Sequence, residues 1–160
     1  MADWIEEGRK APDFTLQTDQ GDKLKLSSLR GSQVVLYFYP KDDTPGCTKE
    51  ACEFRDLLPE LAARNTVVLG VSPDSVESHV RFRDKYELPF TLLADPEHKV
   101  AEKYGAWREK TLYGRTSLGI VRSTFVIDAE GRVVKVFKNV RAAGHAAKVA
   151  AALDTLSAGR

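Results

Sequence analysis

Residues Val34 to Cys52 read VVLYFYPKDDTPGCTKEAC, and two features of this stretch decide the fold. Its first part, Val34 to Tyr39, is apolar at every position, as in a strand that is covered on both faces of a sheet. Pro40 ends that strand, and apolar residues recur at helical spacing after Pro45. A buried strand that leads directly into a helix is typical of an α/β protein.

Strands and helices alternate along most of the remaining chain. The patterns predict strands at Phe14–Leu16, Lys23–Leu26, Thr66–Val71, Phe90–Leu93, Ser123–Ile127 and Arg132–Phe137, and helices at Ser75–Tyr86, His98–Tyr104 and Gly144–Leu156. The first two strands form an N-terminal β-hairpin. Residues Gly105 to Gly119 are predicted to be an irregular polar connection, and Pro59 is predicted to kink or break the helix near Leu58. We therefore expect one domain, residues 1–160, built as an α/β sandwich with a mixed central sheet flanked by helices.

The overall charge excludes some classes of partner. The chain has 160 residues with 24 Lys and Arg against 23 Asp and Glu, so its net charge is only +1. No whole-protein field favours nucleic acid or an anionic membrane. The longest apolar stretch is far shorter than the roughly 20 residues that span a bilayer. The acidic start of the sequence does not resemble a signal or transit peptide, so we expect a cytoplasmic protein.

The two cysteines, Cys47 and Cys52, are the first candidates for chemistry. Two are too few for a secreted disulfide scaffold, and thiols in a reducing compartment are more often catalytic or metal-bound than structural. Thr44 is a good N-cap and Pro45 suits the first helical position, which places Cys47 in the first turn. There the unpaired amides and the helix dipole favour the thiolate over the thiol.

The spacing of the two cysteines has a structural consequence. In an α-helix, side chains five residues apart point about 140° away from each other, with Cα atoms more than about 7 Å apart. Cys47 and Cys52 therefore cannot bond while both are helical, and a disulfide between them would require the first turns to unwind. The spacing is not the C-x-x-C of disulfide exchange. The three histidines, His79, His98 and His145, are scattered without metal-ligand spacing, which argues against zinc.

Several motifs identify a known family. The sequence resembles a peroxiredoxin of the bacterioferritin comigratory protein, or peroxiredoxin Q, subfamily. The P-x-x-x-T-x-x-C motif is present as Pro40, Thr44 and Cys47, and the second cysteine of the subfamily matches Cys52. The resemblance spans nearly the whole chain and also includes the stretches Ala11–Leu16, Phe54–Asp56, Phe90–Leu93 and Arg122–Asp128.

This resemblance implies a thioredoxin-like fold and a thiol peroxidase without metal or organic cofactor. Cys47 is the implied peroxidatic cysteine, Cys52 the resolving cysteine, and Arg122 the guanidinium beside the thiolate. Thr44 would supply a hydroxyl, the amides of Gly46 and Cys47 fixed dipoles, and Pro40 a shield from water. The implied substrates are hydrogen peroxide and organic hydroperoxides, and the implied reductant is thioredoxin or a similar dithiol. Because no extended C-terminal arm carries a further cysteine, we expect a monomer.

Plainer interpretations remain open for individual residues. Thr44 could be only a helix cap, and Arg122 only a surface charge. Glu50 could orient Arg122 and Arg55 could pair within the site, but a solvated helix face explains both equally well. In the same way, Trp107 is expected to pack against the fold or cover the rim of the site, and His145 to be structural.

Two other functions would also use a pair of thiols. One is a general thiol–disulfide oxidoreductase, which would turn over a disulfide without peroxide and which the missing C-x-x-C disfavours. The other is a non-catalytic redox-sensing or holdase module, in which the disulfide switches a binding surface. Only a peroxidase consumes peroxide catalytically.

Overall fold

The structure is a computed structural model that describes residues 3–158, and the side chains of residues 3–156. Nine strands and four helices follow one another within these residues. In chain order they are β1 Thr15–Thr18, β2 Lys23–Lys25, β3 Gln33–Phe38, α1 Pro45–Ala63, β4 Thr66–Ser72, α2 Val76–Tyr86, β5 Thr91–Ala94, α3 Lys99–Tyr104, β6 Trp107–Leu112, β7 Arg115–Ile120, β8 Ser123–Ile127, β9 Val133–Phe137 and α4 His145–Ala158. A short 3-10 helix, Leu26–Leu29, follows β2.

Seven of these strands form one mixed sheet in the order β2-β1-β5-β4-β3-β8-β9. Strands β3, β4 and β5 run parallel, whereas β8 is antiparallel to β3, and the hairpin β1–β2 joins antiparallel to β5. Every residue of β8 is buried, as are all but the first of β3, because apolar clusters cover both faces of the sheet. The predicted mixed sheet, flanking helices and N-terminal hairpin are confirmed, with strand ends shifted by one or two residues.

The prediction that Gly105 to Gly119 form an irregular connection is wrong. These residues include a separate two-stranded hairpin, β6–β7, with Trp107 paired to Ile120 and Leu112 to Arg115. Its turn residues Tyr113 and Gly114 both have positive φ, +53° and +76°, as two-residue hairpin turns require. The hairpin is largely exposed, so its sequence lacks the apolar alternation that reveals a half-buried strand.

Pro59 does not break α1, which continues to Ala63. The last turn places Leu61, fully buried, in the apolar cluster beneath α1. The proline ring itself is exposed. Burial of a leucine side chain contributes roughly 2 kcal/mol, which offsets much of the roughly 3 kcal/mol that proline costs inside a helix. Tertiary packing therefore offsets much of the local propensity against a helix at this position.

No helix among residues 3–158 is both long and apolar enough to cross a membrane.

Candidate active site

The candidate site lies where the loop after the buried strand β3 leads into the first turn of α1. Thr44 occupies the N-cap position and Pro45 the first helical position, as predicted. Cys47 therefore lies in the first turn, with only 2% of its surface exposed. The amides of the first turn have no intrahelical acceptor, so those of Gly46 and Cys47 are available to a ligand.

The capping hydrogen bond predicted for Thr44 is absent. Its hydroxyl instead donates to the carbonyl of Lys41 at 2.8 Å. Since that hydrogen is engaged, the Thr44 oxygen keeps only acceptor capacity for a substrate in this arrangement. The predicted position of Thr44 is correct, but its side chain does not cap the helix.

Arg122 reaches the site from the junction between β7 and β8. Its Nη2 donates to Cys47 Sγ at 3.2 Å, and its Nη1 donates to Glu50 Oε1 at 2.6 Å. Only 15% of the Arg122 side chain is exposed, and Glu50 is fully buried. Burial opposes the charge of Arg122, but the neighbouring Glu50 carboxylate and Cys47 outweigh it and raise the pKa of Arg122 above its ordinary value. The surface interpretation of Arg122 is therefore wrong, and Glu50 holds its guanidinium against Cys47.

Glu50 is an unusual carboxyl because only one of its oxygens is paired. Burial, opposed by the Arg122 charge, raises the pKa of Glu50 from 4.5 to about 7. Its Oε2 has no hydrogen-bond partner among the described residues. The guanidinium beside Cys47 therefore faces a carboxyl that changes its charge near neutral pH.

Gly46 packs closely under the same guanidinium. A Cβ atom built on Gly46 would lie 3.2 Å from Arg122 Nη2. This is closer than ordinary van der Waals contact, so a side chain here would press Arg122 away from Cys47. The backbone of the first turn and the cation thus approach one another because residue 46 has no side chain.

Arg55, the other predicted neighbour of the site, is not directed at Cys47. Its Nη1 donates to the carbonyl of Tyr86 at 2.7 Å, and its Nε donates to Asp56 at 3.0 Å. Arg55 therefore ties α1 to the end of α2, on the side of Cys52. The interpretation that places it on a helix face is the one that its contacts support.

Cys52 lies five residues further along an uninterrupted helix, and both cysteines are free thiols. Cys47 is buried and Cys52 is partly exposed. The helical separation predicted from their spacing is therefore present.

A groove of about 450 Å³ lies beside Pro40. Pro40, which is half-buried, forms part of one wall, and residues of the β6–β7 hairpin form the other. Trp107 lines the same groove and stacks on His98 with ring centroids 3.6 Å apart. Trp107 thus both packs against the fold and contributes to the groove, as its two expected roles suggested.

Lys110 is a second cation near the site that the sequence reasoning missed. Its Nζ donates to the carbonyl of Ile120 at 2.7 Å. Burial and the charge of Arg122 lower the pKa of Lys110. The sequence did not indicate it, because its strand, β6, was predicted to be irregular and the turn pair Tyr113-Gly114 is not one of the usual hairpin dipeptides.

The contacts of His145 are those of a structural residue, as expected. Its Nε2 shares a hydrogen bond of 2.7 Å with the Thr124 hydroxyl, and its ring packs edge-on against Phe54 and Phe137. Burial and the nearby positive charges of Arg122 and Lys148 lower the pKa of His145 to about 4, so it is neutral at pH 7.

Among the described residues, one group of carboxylate and imidazole atoms, outside the site of Cys47, is of the type that binds metals. Atoms of Asp42, Asp74 and His79 lie within 4.8 Å of one another. They already bond to one another and to their neighbours, with His79 Nδ1 2.7 Å from Asp42 Oδ2 and the Asp42 amide 2.8 Å from Asp74 Oδ2.

Comparison with known proteins accounts for this arrangement. The sequence profile of the AhpC/TSA family matches residues 8–136. The chain belongs to the AhpC/TSA family. It is 54% identical over 145 residues to a putative peroxiredoxin of Coxiella burnetii, covering 91% of this chain and 96% of that protein. It is also 52% identical over 152 residues to the peroxiredoxin Bcp of Bacillus subtilis, covering 95% of each.

Solved structures of AhpC/TSA relatives share the fold. A peroxiredoxin Q mutant from Xylella fastidiosa superposes with a TM-score of 0.91 at 36% identity, covering 96% of this chain and 98% of that one. The bacterioferritin comigratory protein of Xanthomonas campestris, a structure described in terms of alkyl peroxide reduction, matches with a TM-score of 0.88 at 40% identity, covering 94% and 98%. The chain is therefore a peroxiredoxin with a thioredoxin-like fold, and the resemblance that its motifs indicated is confirmed.

Proposed function

We propose that this peroxiredoxin reduces hydrogen peroxide and organic hydroperoxides through Cys47, forms a Cys47–Cys52 disulfide, and is recycled by thioredoxin or a similar dithiol. The observation that carries the proposal is the 3.2 Å contact between Arg122 Nη2 and Cys47 Sγ in the first turn of α1. A thiolate favoured by a helix N-terminus and by a permanent cation is the nucleophile that this reaction requires.

The first step is a displacement at oxygen. The Cys47 thiolate attacks one peroxide oxygen, the O–O bond breaks, and the electron pair leaves on the other oxygen, which takes a proton to become water or an alcohol. Cys47 becomes a sulfenic acid. Arg122 and the free amides of Gly46 and Cys47 donate hydrogen bonds to the peroxide, and the Thr44 oxygen accepts one from it.

The apolar groove beside Pro40 supports an organic substrate. Leu112, Leu118 and Ile120 line its wall on the hairpin side. An alkyl group that extends from the reacting oxygens can lie against these side chains, where it buries apolar surface and is removed from water. The alkyl peroxide reduction described for the Xanthomonas campestris relative is consistent with this substrate class.

The second step needs a change of conformation. The Cys52 thiolate attacks the sulfur of the Cys47 sulfenic acid, an S–S bond forms, and hydroxide leaves and is protonated to water. Because α1 holds the two side chains about 140° apart, its first turns must unwind for this bond to form. The partial exposure of Cys52 supports its role as the thiol that meets the reductant next.

The third step returns both thiols. A dithiol reductant attacks the disulfide through a mixed disulfide, and its own two sulfurs become oxidised. Such a reductant pool is typical of the cytoplasm, and we propose that the protein acts there. We also propose that it is a monomer, with residues 1–160 forming one domain.

The first test replaces the nucleophile. Cys47→Ser should abolish peroxide consumption in a thioredoxin-coupled assay, because an alcohol is a far weaker nucleophile than a thiolate, while circular dichroism stays unchanged. Substantial residual turnover in the purified variant would contradict the role of Cys47. Turnover of a disulfide substrate without peroxide would favour the oxidoreductase alternative, and chaperone activity without catalysis would favour the holdase.

The matched variant is Cys52→Ser, which removes the other thiol of the same helix. It should react once, giving one sulfenic acid on Cys47 that dimedone labels, and then lose thioredoxin-driven turnover. If this variant fails to react even once, the two cysteine roles are reversed.

A further inference from the structure

A buried pair of hydrogen-bonded side chains holds the loop that precedes Cys47. Asp42 lies between β3 and α1 with 7% of its surface exposed, and His79 of α2 is fully buried. His79 Nδ1 is 2.7 Å from Asp42 Oδ2. Neither residue touches Cys47 or Arg122, and the peroxide chemistry proposed above does not use them.

The neighbours of the pair determine where its protons lie. His79 Nε2 is 2.9 Å from the carbonyl of Leu93, which can only accept, so Nε2 carries a hydrogen. Asp42 also accepts from the Tyr39 hydroxyl at 2.6 Å and from the Ser78 hydroxyl at 2.8 Å. With the contact between His79 Nδ1 and Asp42 Oδ2, every polar side-chain atom of the buried pair has a hydrogen-bond partner.

Two adjacent acidic residues tie the loop to both ends of α2. Asp42 is bound to Ser78 and His79 near the start of that helix. Asp43, in a left-handed conformation with φ +57°, pairs with Lys85 at 2.8 Å and with the Tyr86 hydroxyl at 2.7 Å in the last turn. The Asp43 contacts are exposed, and exposed ion pairs contribute little. The buried Asp42 contacts are therefore the ones that hold the loop.

The position of this loop sets the contact that the chemistry depends on. The backbone amide of Asp42 donates to Asp74 Oδ2 at 2.8 Å, so both the side chain and the backbone of this residue are held. Only Asp43 separates Asp42 from the N-cap of α1. Arg122 comes from a different part of the sheet, and the two sides of the Arg122–Cys47 contact are brought together by tertiary structure alone. Misplacement of a reacting group by about 1 Å can cost about 100-fold in rate.

We propose that the buried Asp42–His79 hydrogen bond is a positioning device that holds the N-terminus of α1, and with it Cys47, against Arg122. This inference rests on the proposed role of Cys47.

The test is a double-mutant cycle on the rate constant for the reaction of reduced protein with hydrogen peroxide, measured by competition with horseradish peroxidase. Asp42→Ala and His79→Ala should each slow the reaction about tenfold or more, and the double variant should be no slower than the slower single variant, because the pair acts as a unit. Wild-type rate constants in the single variants, or effects that multiply in the double variant, would overturn the proposal.

Asp95→Ala is the matched control for general loss of stability. Asp95 is a buried carboxyl whose side chain accepts from the amides of Val100 and Ala101 in α3 and not from the loop of Asp42. It should lower the free energy of unfolding and leave the peroxide rate constant of the folded protein unchanged. Equal slowing in Asp95→Ala and Asp42→Ala would overturn a specific positioning role. If the alanine variants do not fold, Asp42→Asn and His79→Gln complete the same cycle.

A spectroscopic measurement tests the hydrogen bonds of the pair. Side-chain ¹⁵N NMR should show a hydrogen on Nε2 of His79, as its contact with the Leu93 carbonyl requires, with His79→Gln for assignment. A His79 ring without a hydrogen on Nε2 would overturn the hydrogen-bonded arrangement. Wild-type rates in the loop variants together with an inactive Cys47→Ser would reject the positioning role alone, whereas activity in Cys47→Ser would reject the proposed function itself.

Discussion

Arg122 stands between two groups that compete for its guanidinium, Cys47 on one side and Glu50 on the other. Its planar fork lets one nitrogen meet each group, which the single ammonium of lysine could not do in the same geometry. Because Glu50 is fully buried, losing Arg122 would also leave an unpaired buried carboxyl. Glu50 therefore both orients the cation and depends on it.

Replacement of Arg122 tests its part in the chemistry. Arg122→Ala should lower the peroxide rate constant by about 100- to 1,000-fold, because it removes a donor to the charge that develops on the leaving oxygen. It should also slow alkylation of Cys47 by iodoacetamide, because the sulfur loses the cation beside it. Stopped-flow oxidation and timed alkylation measure the two effects.

The control is Arg55→Ala, which removes an arginine that contacts Asp56 and Tyr86 rather than Cys47. It should leave the peroxide rate constant within about twofold of wild type, since rim charges away from the reacting atoms contribute little. An unchanged rate and unchanged alkylation in Arg122→Ala would show that the 3.2 Å contact has no chemical consequence.

At the level of elements, α1 is divided into a part that builds the site and a part that is anchored. Glu53 accepts from the amide of Gly144 at 2.9 Å at the entry to α4. Phe54 is fully buried, stacks on Tyr37 at 4.9 Å and meets His145 edge-on. These contacts begin directly after Cys52 and anchor the rest of α1, so we expect unwinding to end close to the second cysteine.

Hydrogen exchange locates the end of the unwound segment. After oxidation, amides from Thr48 to Cys52 should exchange faster, because they lose helical hydrogen bonds, whereas Leu57 to Ala63 and the strands β3 and β4 should stay protected. Hydrogen-exchange mass spectrometry on reduced and peroxide-treated protein measures this, with the disulfide verified by intact mass. Equal protection of residues 48–52 in both states would mean that the helix does not separate the cysteines. The Cys52→Ser variant is the control, since it oxidises without forming the bond.

For the whole molecule, two buried titratable groups on one side of the sheet act on stability with opposite signs. Glu50 has a raised pKa of about 7, so between pH 4.5 and 7 the native state binds more protons than the unfolded chain. Its contribution to the free energy of unfolding is lost as the pH rises through that range. His145 has a lowered pKa of about 4, so the unfolded chain binds more protons between pH 4 and 6.5. Its contribution is lost as the pH falls.

Single variants separate these two contributions. The free energy of unfolding, measured with urea between pH 4 and 8, should fall less steeply toward pH 7 in Glu50→Gln than in wild type, with a difference of up to about 3 kcal/mol across the range. In His145→Gln, the free energy of unfolding should instead decrease less than in wild type as the pH falls toward 4. Parallel pH profiles for wild type and both variants would show that neither group titrates differently in the folded protein.

Much of this protein follows from local sequence patterns. The buried strand β3, the turn at Pro45 and the first-turn position of Cys47 are set by apolar patterning and by the fixed φ of proline, which act within a few residues. The motif around Cys47 and Cys52 also led to the correct family, and the spacing of the two cysteines correctly predicted that they are separated in a helix. Local signals were insufficient at Pro59, where the packing of Leu61 maintains the helix.

Only tertiary structure decided which distant residues meet Cys47. Arg122 is 75 residues away in the chain and His79 is 37 residues from Asp42, and no local pattern specifies such contacts. The sheet order brings the β7–β8 junction beside α1, so Arg122 meets Cys47 and Arg55, much nearer in sequence, does not. The exposed hairpin β6–β7 was missed for the related reason that strands with little buried surface carry little apolar pattern. The sequence alone thus determined the helix and the first-turn position of Cys47, because those depend on short-range geometry. The tertiary structure determined which residues lie beside Cys47 and Asp42, because that depends on which elements lie side by side.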